Sequence, residues 1–210
     1  KNKDLQPMTM ESYEISYIHS FSYTFGRGSN QLVYFQNRAN DIFHEVPTIG
    51  EGSLFANAGK RKVQGIENSF KARWKQINML FNVSWEQPRD NNLASDSLNI
   101  AKIKANLLLD YTFSNQMTFA LMNHYVSSVK TDALDASGSS IVEKIDGFVE
   151  TDITISNRNV HLDKNARMGI ELSIFNVFDV DFYHPQVRSS SPLQYKQNGR
   201  SFNMKVTMEY

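Results

Sequence analysis

Apolar and polar residues alternate along most of this chain with a period of two. From Tyr13 to Phe25 every second residue is aromatic or otherwise bulky, and the residues between are mostly Ser, Glu and Thr. This alternation is typical of a β-strand with one apolar and one polar face. The pattern recurs, with varying clarity, at residues 32–43, 58–74, 77–85, 103–113, 117–121, 149–155, 168–174 and 202–210. The sequence therefore predicts an all-β protein of nine strands.

The lengths of the predicted strands and of their connections favour a membrane barrel. Several of the alternating segments run for about ten residues or more, the length of a tilted strand that crosses a bilayer, whereas strands of soluble sheets usually have about five or six residues. Short connections follow Trp74 and Phe113, while long polar connections are predicted at 44–57, 86–99, 127–147 and 177–200. Short and long connections alternate in transmembrane antiparallel barrels. The alternative is a soluble β-sandwich, whose strands also alternate.

The two faces of the predicted strands carry different residue types. Aromatic residues such as Trp74, Trp85 and Tyr111 lie near strand ends, where rings with a polar tip favour the membrane–water interface. The opposite face carries polar residues, which we expect to face the barrel lumen. These are Asn78, Asn82, Lys104, Asn106, Asp110, Glu150, Asp152 and Glu171.

The strand count predicts that other strands complete the barrel. With the short turns placed in the periplasm, at 26–31, 75–76, 114–116 and 157–167, the nine strands start and end on opposite sides of the membrane. Single-chain bacterial barrels have an even strand number, and open edges in lipid leave backbone groups unpaired. We therefore expect the missing strands to come from an N-terminal part of the same precursor or from another chain.

Composition excludes several function classes. The formal net charge is zero and nothing favours a nucleic-acid partner. There is no cysteine for thiol chemistry or zinc–thiolate sites, and no run of about 18 apolar residues that would predict a transmembrane helix. No catalytic constellation stands out, and we predict no cofactor and no metal. Asn176, Asp179 and Asp181 could suggest calcium, but a turn is the favoured interpretation.

Two further groups of residues have a favoured and an alternative interpretation. His44 and His184 fall in or beside predicted loops and could ligate haem iron, although a surface role is favoured. The basic run at 60–62 is favoured as a solvated strand end, with contact to lipopolysaccharide phosphates as the alternative.

Four spaced motifs resemble the C-terminal barrel of TonB-dependent outer-membrane receptors. They lie in the order of that family and are carried by Leu5, Pro7, Tyr13 and Glu14, by Asn57, Gly59, Gly65 and Glu67, by Asn176, Phe178 and Asp179, and by Gly199 and Arg200. The resemblance covers residues 1–210, which we interpret as one domain, the C-terminal part of the receptor barrel. Met8, Ser16 and Phe182 depart from the residues usual in the family.

The resemblance implies a function and a location. Such receptors are bacterial outer-membrane barrels of about 22 strands around an N-terminal plug, and they take up scarce ligands such as ferric siderophores, haem or cobalamin with energy from TonB. The implied partners are outer-membrane lipid and lipopolysaccharide, the missing strands and plug, and TonB through that missing part. The alternatives are a passive porin or structural barrel, and an outer-membrane phospholipase or protease.

The resemblance also suggests site residues. Ligand contacts are expected from the extracellular loops, at His44, Arg89, Tyr183, Arg188 and Tyr195. In the resembled family, apolar residues that alternate up to a terminal aromatic residue are the signal for barrel assembly. Here those residues are Phe202, Met204, Val206, Met208 and Tyr210.

Overall fold

A computed structural model of the chain describes residues 3–48, 52–90, 99–134, 140–161, 166–185 and 194–209. Nine strands form one antiparallel sheet: β1 (Thr9–Tyr23), β2 (Gly26–Thr48), β3 (Gly52–Trp74), β4 (Ile77–Asp90), β5 (Ile103–Thr112), β6 (Met117–Val126), β9 (Phe148–His161), β10 (Arg167–Phe175) and β13 (Ser201–Glu209). Two separate hairpins are formed by β7 (Val129–Leu134) with β8 (Ser140–Ile145), and by β11 (Tyr183–Pro185) with β12 (Gln194–Lys196). None of the described segments forms a helix that could cross a membrane.

The sheet follows chain order, and the predicted set of nine strands is confirmed. Each strand pairs antiparallel with the next one in the sheet, from β1 at one edge to β13 at the other. The hairpins β7–β8 and β11–β12 are excursions between β6 and β9 and between β10 and β13. Within the described ranges the sheet does not close on itself, because β1 and β13 each pair with a single neighbour.

The register keeps the two faces of the sheet separate across its whole width. Directly opposite residues share a face, and one continuous row consists of Ile15, Tyr34, Ile66, Trp85 and Ile103. We call the face that carries this row the apolar face. All eight residues predicted for the lumen lie on the other face, which we call the polar face. The predicted division of the strands into two faces is therefore confirmed.

The apolar face is uncovered. Ile15, on the edge strand β1, is 74% exposed. Leu172, on the same face near the opposite edge of the sheet, is 48% exposed. A soluble β-sandwich would bury this face against a second sheet, but the described residues form no second layer over it. An apolar surface of this extent is stable where lipid covers it.

One end of the sheet carries short turns, and one of the predicted turns was misplaced. Residues 75–76 and 114–116 form turns as predicted, with Lys75 and Gln116 at φ of 49° and 65°. The turn predicted at 26–31 instead occupies residues 24–25, and β2 begins at Gly26. Gly26 and Gly28 belong in the strand because neighbouring rings lie over them: a side chain at Gly26 would meet the Trp74 indole, and one at Gly28 would meet the Phe21 ring.

At the opposite end, which we call the long-loop end, the strands extend further than predicted. The predicted loop at 44–57 is mostly strand, because β2 and β3 remain paired as far as Thr48 and Gly52. Paired strands satisfy each other's backbone groups and do not need the rest of the sheet to continue. The predicted loops at 127–147 and 177–200 contain the hairpins β7–β8 and β11–β12. At the short-turn end, β9 continues to His161, so residues 157–161 of the turn predicted at 157–167 are strand.

Candidate functional site

At the long-loop end, the chain that leaves β10 is held by a buried asparagine. Asn176 is 1% exposed and has a φ of 49°. Its backbone N–H donates to Asp152 Oδ1 at 2.9 Å, and its side-chain amide donates to the Val180 carbonyl at 2.9 Å. Its Oδ1 accepts the Val180 N–H at 2.9 Å. Asn tolerates this left-handed backbone conformation, so residues 176–180 form a closed turn attached to β9.

Asp179 ties the same turn to the start of β13. Its Oδ1 accepts the backbone N–H of Arg200 at 2.8 Å, and its Oδ2 lies 3.7 Å from the Arg200 guanidinium. A Cβ at Gly199 would lie 2.8 Å from Asp179 Oδ1, so a larger residue there would displace this carboxylate from its place beside Arg200. We call Asp152, Asn176, Asp179 and Arg200 the turn brace. It fixes both ends of the 176–200 segment beside each other.

The three residues that could suggest a calcium site, Asn176, Asp179 and Asp181, bind other groups of the protein. Asp181 forms an ion pair with Lys196 at 2.8 Å, and this hydrogen bond raises the pKa of the Lys196 ammonium. Asn176 and Asp179 belong to the turn brace. Within the described ranges, no three His, Cys, Asp or Glu side chains are grouped to hold a metal ion. The arrangement is a network that positions a loop.

Aromatic rings attach the β11–β12 hairpin to the sheet. Phe182 stacks on Phe148 of β9 with ring centroids 4.2 Å apart, and each ring is 7% exposed. His184 approaches both rings at 5.8 and 5.7 Å, and His124 of β6 lies 5.8 Å from Phe148. We call Phe148, Phe182, His184 and His124 the rim cluster. It sits on the polar face at the long-loop end.

Polar side chains continue from the rim cluster along the polar face. His124 Nδ1 lies 2.6 Å from Asn106 Oδ1, and Glu150 is directly opposite His124 in the register. Further across, the Lys104 ammonium donates to Glu86 at 3.1 Å. Imidazole, carboxylate, amide and ammonium groups therefore border the aromatic rings. Such a surface can combine ring stacking with hydrogen bonding to a ligand.

A small apolar cluster joins the two hairpins. Ala101, Val129 and Ile145 are buried together, and Val126 and Tyr183 pack against them. Tyr183 thus links β11 to the β7–β8 hairpin. This contact and the rim cluster set the position of the β11–β12 hairpin over the polar face.

The structure brings together two of the predicted ligand residues. Tyr183 and Tyr195 lie on the same hairpin, where Tyr195 is opposite His184 and is 50% exposed. His44 is opposite Ala56 on the extension of β2 and β3, and Arg89 is opposite Lys62 near the end of β4. Arg188 lies outside the described residues. A ligand role for these five residues stays a prediction.

Sequence reasoning missed the stacking of Phe148, Phe182 and His184. The sequence marks Phe182 only as a departure from a family motif, and it favours a surface role for His184, whose side chain is exposed although it contacts both rings. The adjacent aromatic letters at 182–184 were the available signal, but their partner Phe148 is more than thirty positions away in the sequence. Ring contacts between distant segments depend on how a hairpin folds back, which alternation does not encode.

The last described strand has the predicted alternation. Phe202, Met204, Val206 and Met208 lie on the apolar face of β13, opposite Ile174, Leu172, Ile170 and Met168. Tyr210 lies outside the described residues. Their use as an assembly signal stays a prediction.

Comparison with known proteins identifies relatives of this fold. The family described as "TonB dependent receptor-like, beta-barrel" matches residues 1–178. No curated protein matches the chain by sequence.

Several solved structures share the architecture. The FrpB iron transporter from Neisseria meningitidis (F3-3 variant) has a TM-score of 0.75 at 18% identity, over 99% of this chain and 32% of that one. The pyoverdine receptor FpvA from Pseudomonas aeruginosa PAO1 has a TM-score of 0.79 at 15% identity, over 100% and 31%. The ferric-catecholate import receptor Fiu from Escherichia coli K12 has a TM-score of 0.72 at 14% identity, over 99% and 28%.

These likenesses concern the fold, because the identities are low. The chain spans 28% to 32% of the length of these three structures. A sheet of nine strands therefore corresponds to part of a larger barrel wall.

Proposed function

The chain belongs to the TonB-dependent receptor-like β-barrel family, and from this premise we propose that it forms part of an outer-membrane active-transport receptor. The receptor takes up a scarce ligand with energy supplied through TonB. The observation that carries the proposal is the pairing of this family match with a sheet whose apolar face is uncovered and whose other face is polar. A passive porin would share the sheet but not the family.

The two faces and the two ends of the sheet determine how the sheet is oriented in the membrane. The apolar face contacts lipid, and the polar face lines the lumen, where water and a plug domain satisfy its hydrogen-bonding groups. The short-turn end is periplasmic and the long-loop end is extracellular, as in barrels of this kind.

Residues 1–210 supply the C-terminal part of the barrel, a placement supported by the order of the four family motifs. Upstream strands pair with the edges at β1 and β13, and a plug domain fills the lumen. TonB acts through that upstream part.

The names of the structural relatives favour an iron chelate as the ligand class. They include an iron transporter, a pyoverdine receptor and a ferric-catecholate import receptor. A ferric siderophore is therefore our first candidate, ahead of haem or cobalamin. The relatives are transport receptors by name, and we propose no catalytic role for this chain.

The exposed side of the β11–β12 hairpin is the proposed ligand-contact surface. Tyr195 lies directly opposite His184, a member of the rim cluster that fixes the hairpin, and both side chains are exposed. A phenol and an imidazole at the mouth of the lumen can stack on planar chelating groups and hydrogen-bond to their oxygens. Tyr183, His44, Arg89 and Arg188 remain the further predicted contacts.

The test is uptake of radioactive iron by cells that express the full-length receptor. The probe is a ferric catecholate, supplied to otherwise identical cells with and without TonB. Saturable uptake that disappears without TonB supports the proposal. Uptake that persists without TonB, and that decreases only when a larger solute is supplied, would instead indicate a passive pore.

A further inference from the structure

Three cationic side chains lie side by side on the apolar face at the long-loop end. Arg38 of β2 is directly opposite Lys62 of β3, and Lys62 is directly opposite Arg89 of β4. We call these three residues the cation row. Arg38 and Arg89 are exposed and Lys62 is half-buried. Adjacent strands are about 4.8 Å apart, so the row spans about 10 Å of surface.

From the cation row toward the sheet centre, the residues change from charged to polar to apolar, which is the order of the layers of a lipid leaflet. Two positions nearer the sheet centre lies an amide row of Gln36, Gln64 and Gln87, in which Gln64 donates to Gln87 at 3.1 Å. Two positions further lies the row of Tyr34, Ile66 and Trp85.

The spacing of these rows matches the step from acyl chains to lipid phosphates. At about 3.3 Å per residue, four residues place the cation row about 13 Å along the strands from the apolar row. With strands tilted by about 40°, that is about 10 Å along the barrel axis. The amide row falls between, at the level expected for polar groups of the interface.

The cation row has little neutralising charge of its own. Glu11, opposite Arg38, is the acidic residue in the same row of the register. Within the described part of the chain, no ion pair involves Arg38, Lys62 or Arg89. Like charges directly opposite each other on neighbouring strands repel. An anion placed against the row would relieve that repulsion for all three side chains.

We propose that the cation row binds the phosphate groups of an outer-leaflet glycolipid of the lipid A type. Guanidinium and ammonium groups both bind phosphate oxygens, the guanidinium through paired N–H donors. The acyl chains of the same lipid lie against the apolar row that contains Trp85 and Tyr34, while its sugar groups meet the glutamines. This inference rests on the proposed outer-membrane location and does not depend on which ligand the receptor transports.

The experiment compares lipid binding by variants of the full-length receptor purified in detergent. The probe is bisphosphorylated lipid A, and bound lipid is counted by native mass spectrometry. The test variant is R38Q/K62Q; Arg89 stays unchanged because it is also a predicted ligand contact. The matched control is R27Q/K71Q, which removes two cations from the same strands β2 and β3 on the polar face. Heat-modifiable gel mobility checks that each variant is folded.

We expect R38Q/K62Q to bind lipid A at least about tenfold more weakly than the unchanged receptor, since two charged hydrogen-bonding groups are lost. The control should remain within about twofold, and the charge-preserving R38K/K62R variant should retain binding. Millimolar inorganic phosphate should not displace the lipid. Equal binding by R38Q/K62Q and the receptor, or an equal loss in R27Q/K71Q, would overturn the proposal.

TonB-dependent iron uptake by cells carrying the unchanged receptor separates this inference from the proposed function. Uptake without lipid A binding would reject only the cation row as a lipid site. Lipid A binding without TonB-dependent uptake would reject only the transport function.

Discussion

Asp179 Oδ1 accepts the backbone N–H of Arg200 at 2.8 Å, joining residues 21 positions apart in the chain. This bond closes the base of the segment that carries the β11–β12 hairpin. The hairpin's proposed ligand contacts therefore depend on a residue that lies outside the hairpin.

The first prediction concerns this closure. Asp179→Ala removes the bond to Arg200 and should destabilise the base of the segment by about 0.5–1.5 kcal/mol, the net contribution of a typical hydrogen bond, because this bond is exposed to solvent. The measurement is the rate of limited proteolysis within 177–200 in the full-length receptor. Asp181→Ala is the control, since its ion pair with Lys196 is solvent-exposed and should matter little. Equal proteolysis of the two variants would contradict the role of Asp179.

A second prediction tests the close packing of Gly65 against Phe35. The two residues are directly opposite, and a Cβ at Gly65 would lie 2.7 Å from the Phe35 Cζ and also against the Trp85 carbonyl. Gly65→Ala should therefore lower the stability of the folded receptor by about 1–3 kcal/mol. The measurement is the temperature at which heat-modifiable mobility is lost.

The control for Gly65 is the same change at Gly169, also on the polar face. There the nearest atom to a new Cβ is the Thr207 hydroxyl oxygen at 2.5 Å, with the next atom at 3.6 Å. A hydroxyl can rotate away, so Gly169→Ala should be tolerated better. If Gly65→Ala proved the milder of the two, the packing argument would fail.

A third prediction tests the assignment of the faces on β10. Leu172 lies on the apolar face between Ile155 and Met204, and neighbouring Glu171 lies on the polar face, 3.4 Å from Arg158. Leu172→Arg should cost about 2–4 kcal/mol near the bilayer centre and reduce folding into membranes. Glu171→Gln should be mild. Equal effects on heat-modifiable gel mobility would refute the assignment.

A fourth prediction concerns ligand binding by the β11–β12 hairpin. Tyr195→Ala removes an exposed ring opposite His184 and should weaken binding of a ferric siderophore by about tenfold, the size expected for a contributing aromatic contact. Tyr13→Ala on the apolar face is the control, with a similarly exposed ring. Affinity is measured by quenching of intrinsic fluorescence. Equal affinities for the two variants would remove Tyr195 from the site.

The strands and their two faces could be predicted because pairing with a neighbouring strand preserves the alternation of apolar and polar residues. Directly opposite residues share a face, so a pattern such as Ile103 to Tyr111 on β5 remains visible however its neighbours are arranged. Sequence could not place the turn at 24–25, because Gly26 and Gly28 looked like turn residues. Their actual role, close approach beneath Trp74 and Phe21, depends on the register of two other strands.

The alternation of apolar and polar residues could not predict the extension of β2 and β3 or the turn brace, for two other reasons. Outside the bilayer both faces of a strand meet water, so the paired segment around His44 has no alternation to reveal it. Asn176 and Asp179 were recognised as turn residues, but Asp152 and Arg200, which hold them, are distant in sequence. Long-range polar partners depend on three-dimensional closure, which local spacing does not show.

The central claim is that one face of the sheet contacts lipid and the other lines the lumen. The most direct measurement is a spin-label scan of residues 104–111 on β5, using single cysteines in the full-length receptor in outer-membrane vesicles. Residues 1–210 contain no cysteine, so this segment adds no background label. Accessibility to oxygen and to a water-soluble nickel complex is measured at each position.

The account predicts a period of two. Residues 105, 107, 109 and 111 should favour oxygen, which concentrates in lipid, and residues 104, 106, 108 and 110 should favour the nickel complex or be protected from both by a plug. Accessibility without that period, or oxygen preference at the even positions, would contradict the claim that this chain is a transmembrane barrel wall.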